Sequence, residues 1–314
     1  MTRHRRFLSI ALALLLGPAI VGTDPAISLA RMTDSAASTM ALTTDTLAPP
    51  TSLTATGGTS VALGWTITTD AYATGYEVHR GTVSGGPYSQ VATVTPRAAT
   101  STTDAPGSSG TYYYVLRSYF QNWTSVNGNQ ASAVVTLGPT ATGFNGCTGA
   151  SNAADTGGDG NGYETLPANA CGDDLVNATD VGSGTNTTIS CTDAGKDRHR
   201  FWDFGLGVPG TVSAVNGIEV RTDVGMNNNG GTSQVCIQLS WDAGSTWTTA
   251  KSVALAGTAI ATYNFGTAGD NWGHTWLGSE LSNANFRVRV IDVTSQPNKD
   301  FLLEYLAVQV TYTP

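Results

Sequence analysis

Apolar residues recur at every second position in this chain, in short runs that glycine, proline and asparagine clusters cut apart. That habit confines the fold to strands. Val61, Leu63 and Trp65 alternate with Ala62 and Gly64, and Tyr76 and Val78 alternate with Glu77 and His79. Tyr112, Tyr114, Leu116 and Ser118 form another set on one face, followed by Ala133, Val135 and Leu137. The same period returns later in Ile218 and Val220, in Val235, Ile237 and Leu239, in Phe286, Val288 and Val290, and in Leu306, Val308, Val310 and Tyr312. No ten-residue segment carries a helical period. Charged residues make up only 12% of the chain, about half the usual share. Abundant threonine, valine and glycine add to the preference for strands and turns. The expected class is all-β, with two antiparallel sandwiches in series.

The N-terminus has a different chemistry. Arg3, Arg5 and Arg6 precede an apolar run over residues 7–16 that only Ser9 interrupts, and Ser28-Leu29-Ala30 offers a small-x-small cleavage site. This layout predicts a secretory signal peptide over residues 1–30, with cleavage after Ala30 or nearer Gly22. The apolar run is too short for a bilayer span, and no later segment has eighteen consecutive apolar residues, so no transmembrane anchor is expected. Residues 31–47 are Ser/Thr/Ala/Asp-rich and read as a flexible leader. Losing residues 1–30 removes three arginines and Asp24, which moves the formal charge from −8 to −10. An acidic chain of this kind has no electrostatic footprint for nucleic acid.

Turn clusters then set the organisation. Gly57-Gly58, Ser84-Gly85-Gly86-Pro87 and residues 106–110 separate the first strand runs, which describe a seven-stranded sandwich over residues 48–137. Gly138-Pro139 opens a linker at 138–140, and residues 141–314 form the second, larger sandwich. Pro50-Thr51-Ser52-Leu53-Thr54-Ala55, Trp65, Gly75-Tyr76-Glu77-Val78-His79-Arg80, Gly85-Gly86-Pro87-Tyr88 and Thr111-Tyr112-Tyr113-Tyr114-Val115 follow one another in order. Together they resemble a bacterial fibronectin type III domain. The resemblance implies that Trp65 is the core tryptophan of the second strand. It also implies that Tyr112 holds the tyrosine-corner position, its hydroxyl capping a backbone carbonyl. In the second region, Gly217-Ile218-Glu219-Val220, Asp270-Asn271-Trp272-Gly273, residues 285–290 and the final Val308-Gln309-Val310-Thr311-Tyr312 are similar to galactose-binding-like jelly rolls of secreted bacterial and phage-tail-like proteins. That likeness implies a jelly-roll fold and an extracellular setting.

Chemistry-bearing residues fall mostly in the second region. Cys147, Cys171, Cys191 and Cys236 are an even set in an exported chain, which predicts two disulfides. Of the three connectivities, Cys147–Cys171 with Cys191–Cys236 is favoured, and no Cys-x-x-Cys pair supports zinc. Residues 240–247, Ser-Trp-Asp-Ala-Gly-Ser-Thr-Trp, match the Asp-box hairpin of sialidase-like propellers. Asp242 would accept from loop amides, Gly244 would take positive φ and Trp247 would pack beneath, which makes the motif a structural turn. Asp155, Asp159, Asn161 and Glu164 form an acidic, glycine-spaced loop, a candidate calcium site of oxygen ligands, with Asp173, Asp174 and Asp180 as weaker candidates. Trp272 and Trp276 lie in a loop-like stretch and are the candidates for stacking on a sugar ring, with core packing the favoured alternative for such large aromatics.

No catalytic set emerges. His79, His199 and His274 sit in no Gly-x-Ser-x-Gly or His-Glu-x-x-His context, so no catalytic residue and no cofactor beyond calcium is expected. The function these features point to is a secreted, non-catalytic binding or adhesion protein. The first sandwich would be a spacer, and the second would contact polysaccharide or another cell-surface protein. The alternatives are a structural subunit of a surface layer, filament or tail-like assembly, and an accessory component of extracellular polysaccharide degradation.

Overall fold

The computed structural model describes residues 46–296 and 298–314. The expected signal peptide and all but the end of the expected leader lie outside them. Leu47, placed in that leader, is buried and packs as core, so order begins before Ala48. Among the described residues nineteen strands carry the fold, joined by turns and two short 3₁₀ segments.

The first eight strands are β1 (Thr51–Thr56), β2 (Val61–Thr66), β3 (Gly75–Gly81), β4 (Ser89–Val94), β5 (Ser101–Asp104), β6 (Gly110–Phe120), β7 (Trp123–Thr124) and β8 (Ala131–Val135). One sheet runs β1-β2-β5; the other runs β4-β3-β6, with β7 and β8 both pairing β6. Apart from the two-residue β7, this is the seven-stranded arrangement of a fibronectin type III-like sandwich. Its core is the alternating set read from sequence: Val61, Leu63, Trp65, Tyr76, Val78, Tyr112, Tyr114 and Leu116 are all buried. Trp65 meets Tyr76 edge to face at 5.4 Å, and the Tyr112 hydroxyl donates to the Ser108 carbonyl at 2.9 Å.

The remaining strands are β9 (Thr140–Ala141), β10 (Asn145–Gly146), β11 (Asn152–Ala154), β12 (Ala178–Asp180), β13 (Arg198–Phe201), β14 (Ala214–Met226), β15 (Ser233–Ser240), β16 (Lys251–Ala254), β17 (Ala261–Gly266), β18 (Arg287–Thr294) and β19 (Phe301–Thr313). The central pair of one sheet is β14 with β19, and β17 flanks β14. The short β9, β10 and β12 lie end to end along the other edge of β19. The opposing sheet runs β11-β13-β18-β15-β16, all antiparallel. Ile218, Val220, Val235, Ile237, Leu239, Phe286, Val288, Val290, Leu306, Val308 and Val310 fill the space between the sheets. Period two therefore did its work: inward residues are core, and the intervening ones face out.

Both favoured disulfides are present. Cys147–Cys171 ties the irregular opening segment to the turn at Pro167–Cys171. Cys191–Cys236 pins a loop to the outer side of β15, where Ile291 and Val293 of β18 cover it.

Candidate functional site

The outer side of the five-stranded sheet is where the second sandwich departs from an ordinary solvated surface. Register builds it in rows. Arg200 of β13 stands opposite Arg289 of β18, and Arg289 stands opposite Gln238 of β15. Two residues along β18, Arg287 stands opposite Ser240, and Trp202 follows directly after β13. In the other direction the row is Arg198, Ile291 and Cys236. Strand alternation puts these side chains on one face, because their neighbours Phe201, Val288, Val290, Ile237 and Leu239 are core.

The contacts on this face are polar and aromatic together. Arg289 donates to Gln238 Oε1 through Nε at 3.0 Å and Nη2 at 2.6 Å, and its Nη1 meets Asp155 Oδ2 at 3.1 Å. Its guanidinium carbon lies 4.1 Å from the centre of the Trp247 ring. Arg287 donates to the carbonyls of Asn283, Ala284 and Phe286 and lies over Trp202 at 5.2 Å. Both tryptophans are half-buried. Arg200 reaches only Asp155, with Nε 3.9 Å from Oδ1. Its Nε is shut off from water and has no hydrogen-bond partner. Burial lowers Arg289 from the usual arginine value, opposed by Asp155 and reinforced by Arg198 and Arg200. Burial likewise lowers Arg287, with Asp203 opposing and Arg200 adding.

The hairpin that carries Trp247 is built as its sequence implied. Asp242 Oδ1 accepts from the Thr246 amide at 2.7 Å and from the Ser240 hydroxyl at 2.9 Å. These bonds lower Asp242 from its ordinary value against the opposing effect of desolvation. Gly244 has φ +95°, and a Cβ there would meet Arg200 Nη1 at 3.3 Å and the Trp247 ring at 3.4 Å. The turn, Arg200 and Trp247 thus converge.

Trp272 and Trp276, the candidates for stacking, pack as core instead. Each is 4% exposed. The Asp270 carboxylate accepts the Trp272 amide at 2.9 Å, residue 272 takes φ +57°, and the ring turns inward to donate to the Ile218 carbonyl at 2.8 Å. Trp276 donates to the Asn271 carbonyl at 2.8 Å and packs on Trp241, His274 and Phe286. One side of Trp276 lines a cavity of about 270 Å³ with His274, Leu277 and Val212. His274 is already committed there, to Glu280 at 3.1 Å and in a 3.9 Å stack on Trp241.

The four residues of the calcium candidate face separate partners. Asp155 serves the arginines, Asp159 accepts from the backbone and side chain of Asn161, and Glu164 accepts the Val181 amide on both oxygens. Among the described residues, the trio of acidic, histidine or cysteine ligand atoms that gathers within 4.8 Å is Asp173, Asp223 and Glu304. There Arg221 pairs with both aspartates, and the Asp174 and Leu175 amides occupy Glu304.

A second polar group lies inside the sandwich. Asp180 and Asp292 are buried, and the Tyr163 hydroxyl donates to Asp292 Oδ1 at 2.9 Å. Neither oxygen of Asp180 has a hydrogen-bond donor. Burial first, and the neighbouring carboxylates second, push Asp180 up to about 11. Asp292 is raised to about 7, again by burial first. The pair therefore holds a proton at neutral pH. Burial, with Arg200 adding to it, lowers the nearby His199 to about 4 and keeps its ring neutral.

No protein-family model matches the chain, and no curated protein matches it. Among solved structures, a Fn3-like protein from Clostridium thermocellum is 33% identical over 29% of this chain and 95% of that chain, with a TM-score of 0.25. The chicken CNTN1 FN1–FN3 domains match 80% of this chain and 65% of theirs at 12% identity, TM-score 0.25. The CBM22-1–GH10 modules of Clostridium thermocellum xylanase 10B, complexed with xylohexaose, match 55% of this chain and 28% of theirs at 8% identity, TM-score 0.23. The chain thus spans less than two thirds of the last two.

Proposed function

We propose that this is an exported, non-catalytic binding protein whose first sandwich acts as a spacer and whose second sandwich holds a glycan on the outer face of the five-stranded sheet. One observation carries the reading: Trp202 and Trp247 stand half-buried on a rigid sheet face, framed by arginines, Gln238 and Asp155. Rings held in place by packed arginines give flat, pre-ordered stacking surface at little entropic penalty, and the surrounding donors and acceptors match sugar hydroxyls. Export is supported by the two disulfides, which persist in oxidising compartments, and by the composition of residues 1–30. Among the described residues no helix is long and apolar enough to cross a membrane. The groups on the face are donors, acceptors and rings, which suits binding without turnover.

A glycan array and pull-downs on insoluble polysaccharide test this directly. Retention of the wild type, reduced by Trp202→Ala and Trp247→Ala and unchanged by Trp123→Ala on the first sandwich, is the expected pattern. Failure of every glycan to bind, with folded protein, removes the reading.

A further inference from the structure

The arginine pairing on this face carries information about the ligand's charge, and the step taken here rests on the glycan reading above. We propose that the second sandwich selects an anionic saccharide, whose carboxylate or sulfate group seats on the Arg200 guanidinium beside Trp247.

The first reason is the register. Arg200 and Arg289 are directly opposite on adjacent strands, and like charges so placed weaken a sheet. Arg287 lies two residues from Arg289 on β18, so three arginines share the surface, while Arg198 on the same side of β13 is buried. The acids facing them are Asp155 and Asp203. A chain of net charge −8 with 15 basic residues has placed three of them side by side here, against two acids. A positive surface on an acidic chain attracts anions locally while the rest of the molecule repels them.

The second reason is which arginine is left over. Arg289 is satisfied by Gln238 and Asp155, and Arg287 by three backbone carbonyls. Arg198 donates to the carbonyls of Thr156 and Asp193. Arg200 donates no hydrogen bond among the described residues, yet its side chain is 33% exposed. Its charge is met only by Asp155 at 3.9 Å, on a carboxylate that Arg289 already holds at 3.1 Å. Guanidinium Nη groups reachable from solvent and lacking acceptors are a planar fork for an oxyanion. A neutral sugar hydroxyl would leave the charge deficit in place. An oxyanion would remove it and place the sugar ring beside Trp247, which meets the same point above Gly244 as Arg200.

The test uses the whole protein at about 0.15 M salt, where contacts beyond roughly 8 Å are screened. Polygalacturonate supplies ring carboxylates, dextran sulfate supplies sulfate esters, and dextran is the neutral control, all read by calorimetry and affinity gel retardation. At least one of the two polyanions should bind while dextran does not, and their order tells carboxylate from sulfate. Arg200→Gln should weaken that binding tenfold or more, Arg200→Lys should restore part of it, and Arg117→Gln on the first sandwich should leave it unchanged. Equal losses from Arg200→Gln and Arg117→Gln would reduce the effect to non-specific charge and overturn the proposal. So would failure of both polyanions beside a neutral glycan that binds, an outcome that leaves the glycan reading intact. Failure of all glycans removes both. Circular dichroism and the melting temperature of Arg200→Gln establish that the variant is folded.

Discussion

The two sandwiches spend their polar residues differently. In the first, charged groups meet on the sheet and satisfy one another: Arg80 reaches Asp104 at 2.8 Å, and Tyr114 donates to the same carboxylate. The second puts like charges side by side on its outer face and carboxyls in its interior. It also carries both disulfides. A sandwich whose alternation is clean holds together by burial alone. One that sets part of its surface and core against its own stability needs other support, and cross-links close the irregular segments that its short β9–β12 edge leaves long.

Removing that support should give the largest effect. Cys191→Ser with Cys236→Ser opens a loop whose ends are 45 residues apart. The second sandwich should lose about 3–4 kcal/mol in the chain-entropy view. The first contains no cysteine and should be indifferent. Denaturant unfolding followed separately through Trp65 and through the tryptophans of the second sandwich measures this. An equal shift in both transitions would break the comparison, showing that the two sandwiches unfold as one.

The interior acids should give a smaller, pH-shaped effect. Asp180 and Asp292 have folded pKa values raised above the ordinary 3.8. The folded state therefore binds more protons than the unfolded chain, and stability is full below about pH 4. It is lost as pH rises through the folded value of about 7 for Asp292. His199, lowered to about 4, acts in the opposite sense, its contribution falling as pH drops below the unfolded histidine value. The difference between the wild type and Asp180→Asn isolates the acid pair. Wild type should lose on the order of 2 kcal/mol relative to the variant between pH 5 and pH 7. Parallel pH curves for the two proteins would show that the pair does not carry the proton.

Core positions were legible in the sequence because strand alternation is local: Val61, Leu63 and Trp65, or Val288 and Val290, announce their side by spacing alone. The Asp242 hairpin was legible for the same reason, since the hydrogen bonds of Asp242 itself close within a few residues. The arginine-lined face was not. Arg200 and Arg289 are far apart in the chain and meet only through β13–β18 register, which no local pattern specifies. Lys196-Asp197-Arg198-His199-Arg200 is by composition only a charge run, the pattern of a solvated strand start. Its alternation had a cue: Arg198 and Arg200 share one parity, and so do Arg287 and Arg289. Trp272 and Trp276 became candidates for exposure through the loop-like composition of their stretch, and their burial follows the core packing favoured for large aromatics. Asp270 and residue 272's positive φ, neither visible as apolar period, turn those rings inward.

The smallest effect bears most directly on why the second sandwich is built as it is. Arg200→Gln removes one member of an opposed like-charge pair that shares a single carboxylate. It leaves the Asp155–Arg289 contact of 3.1 Å in place, now undivided. Cross-strand pairs are worth about 0.2–1 kcal/mol, so the variant should be more stable than wild type by a few tenths of a kcal/mol. The gain should fade at high salt, because it is electrostatic and partly exposed. Arg80→Gln, which breaks a satisfied pair on the first sandwich, should move stability the other way. A residue whose removal stabilises the fold is kept for something other than folding. If Arg200→Gln instead destabilises, Arg200 is structural, and the two sandwiches differ in their cross-links and interior acids but not in what their surfaces are for.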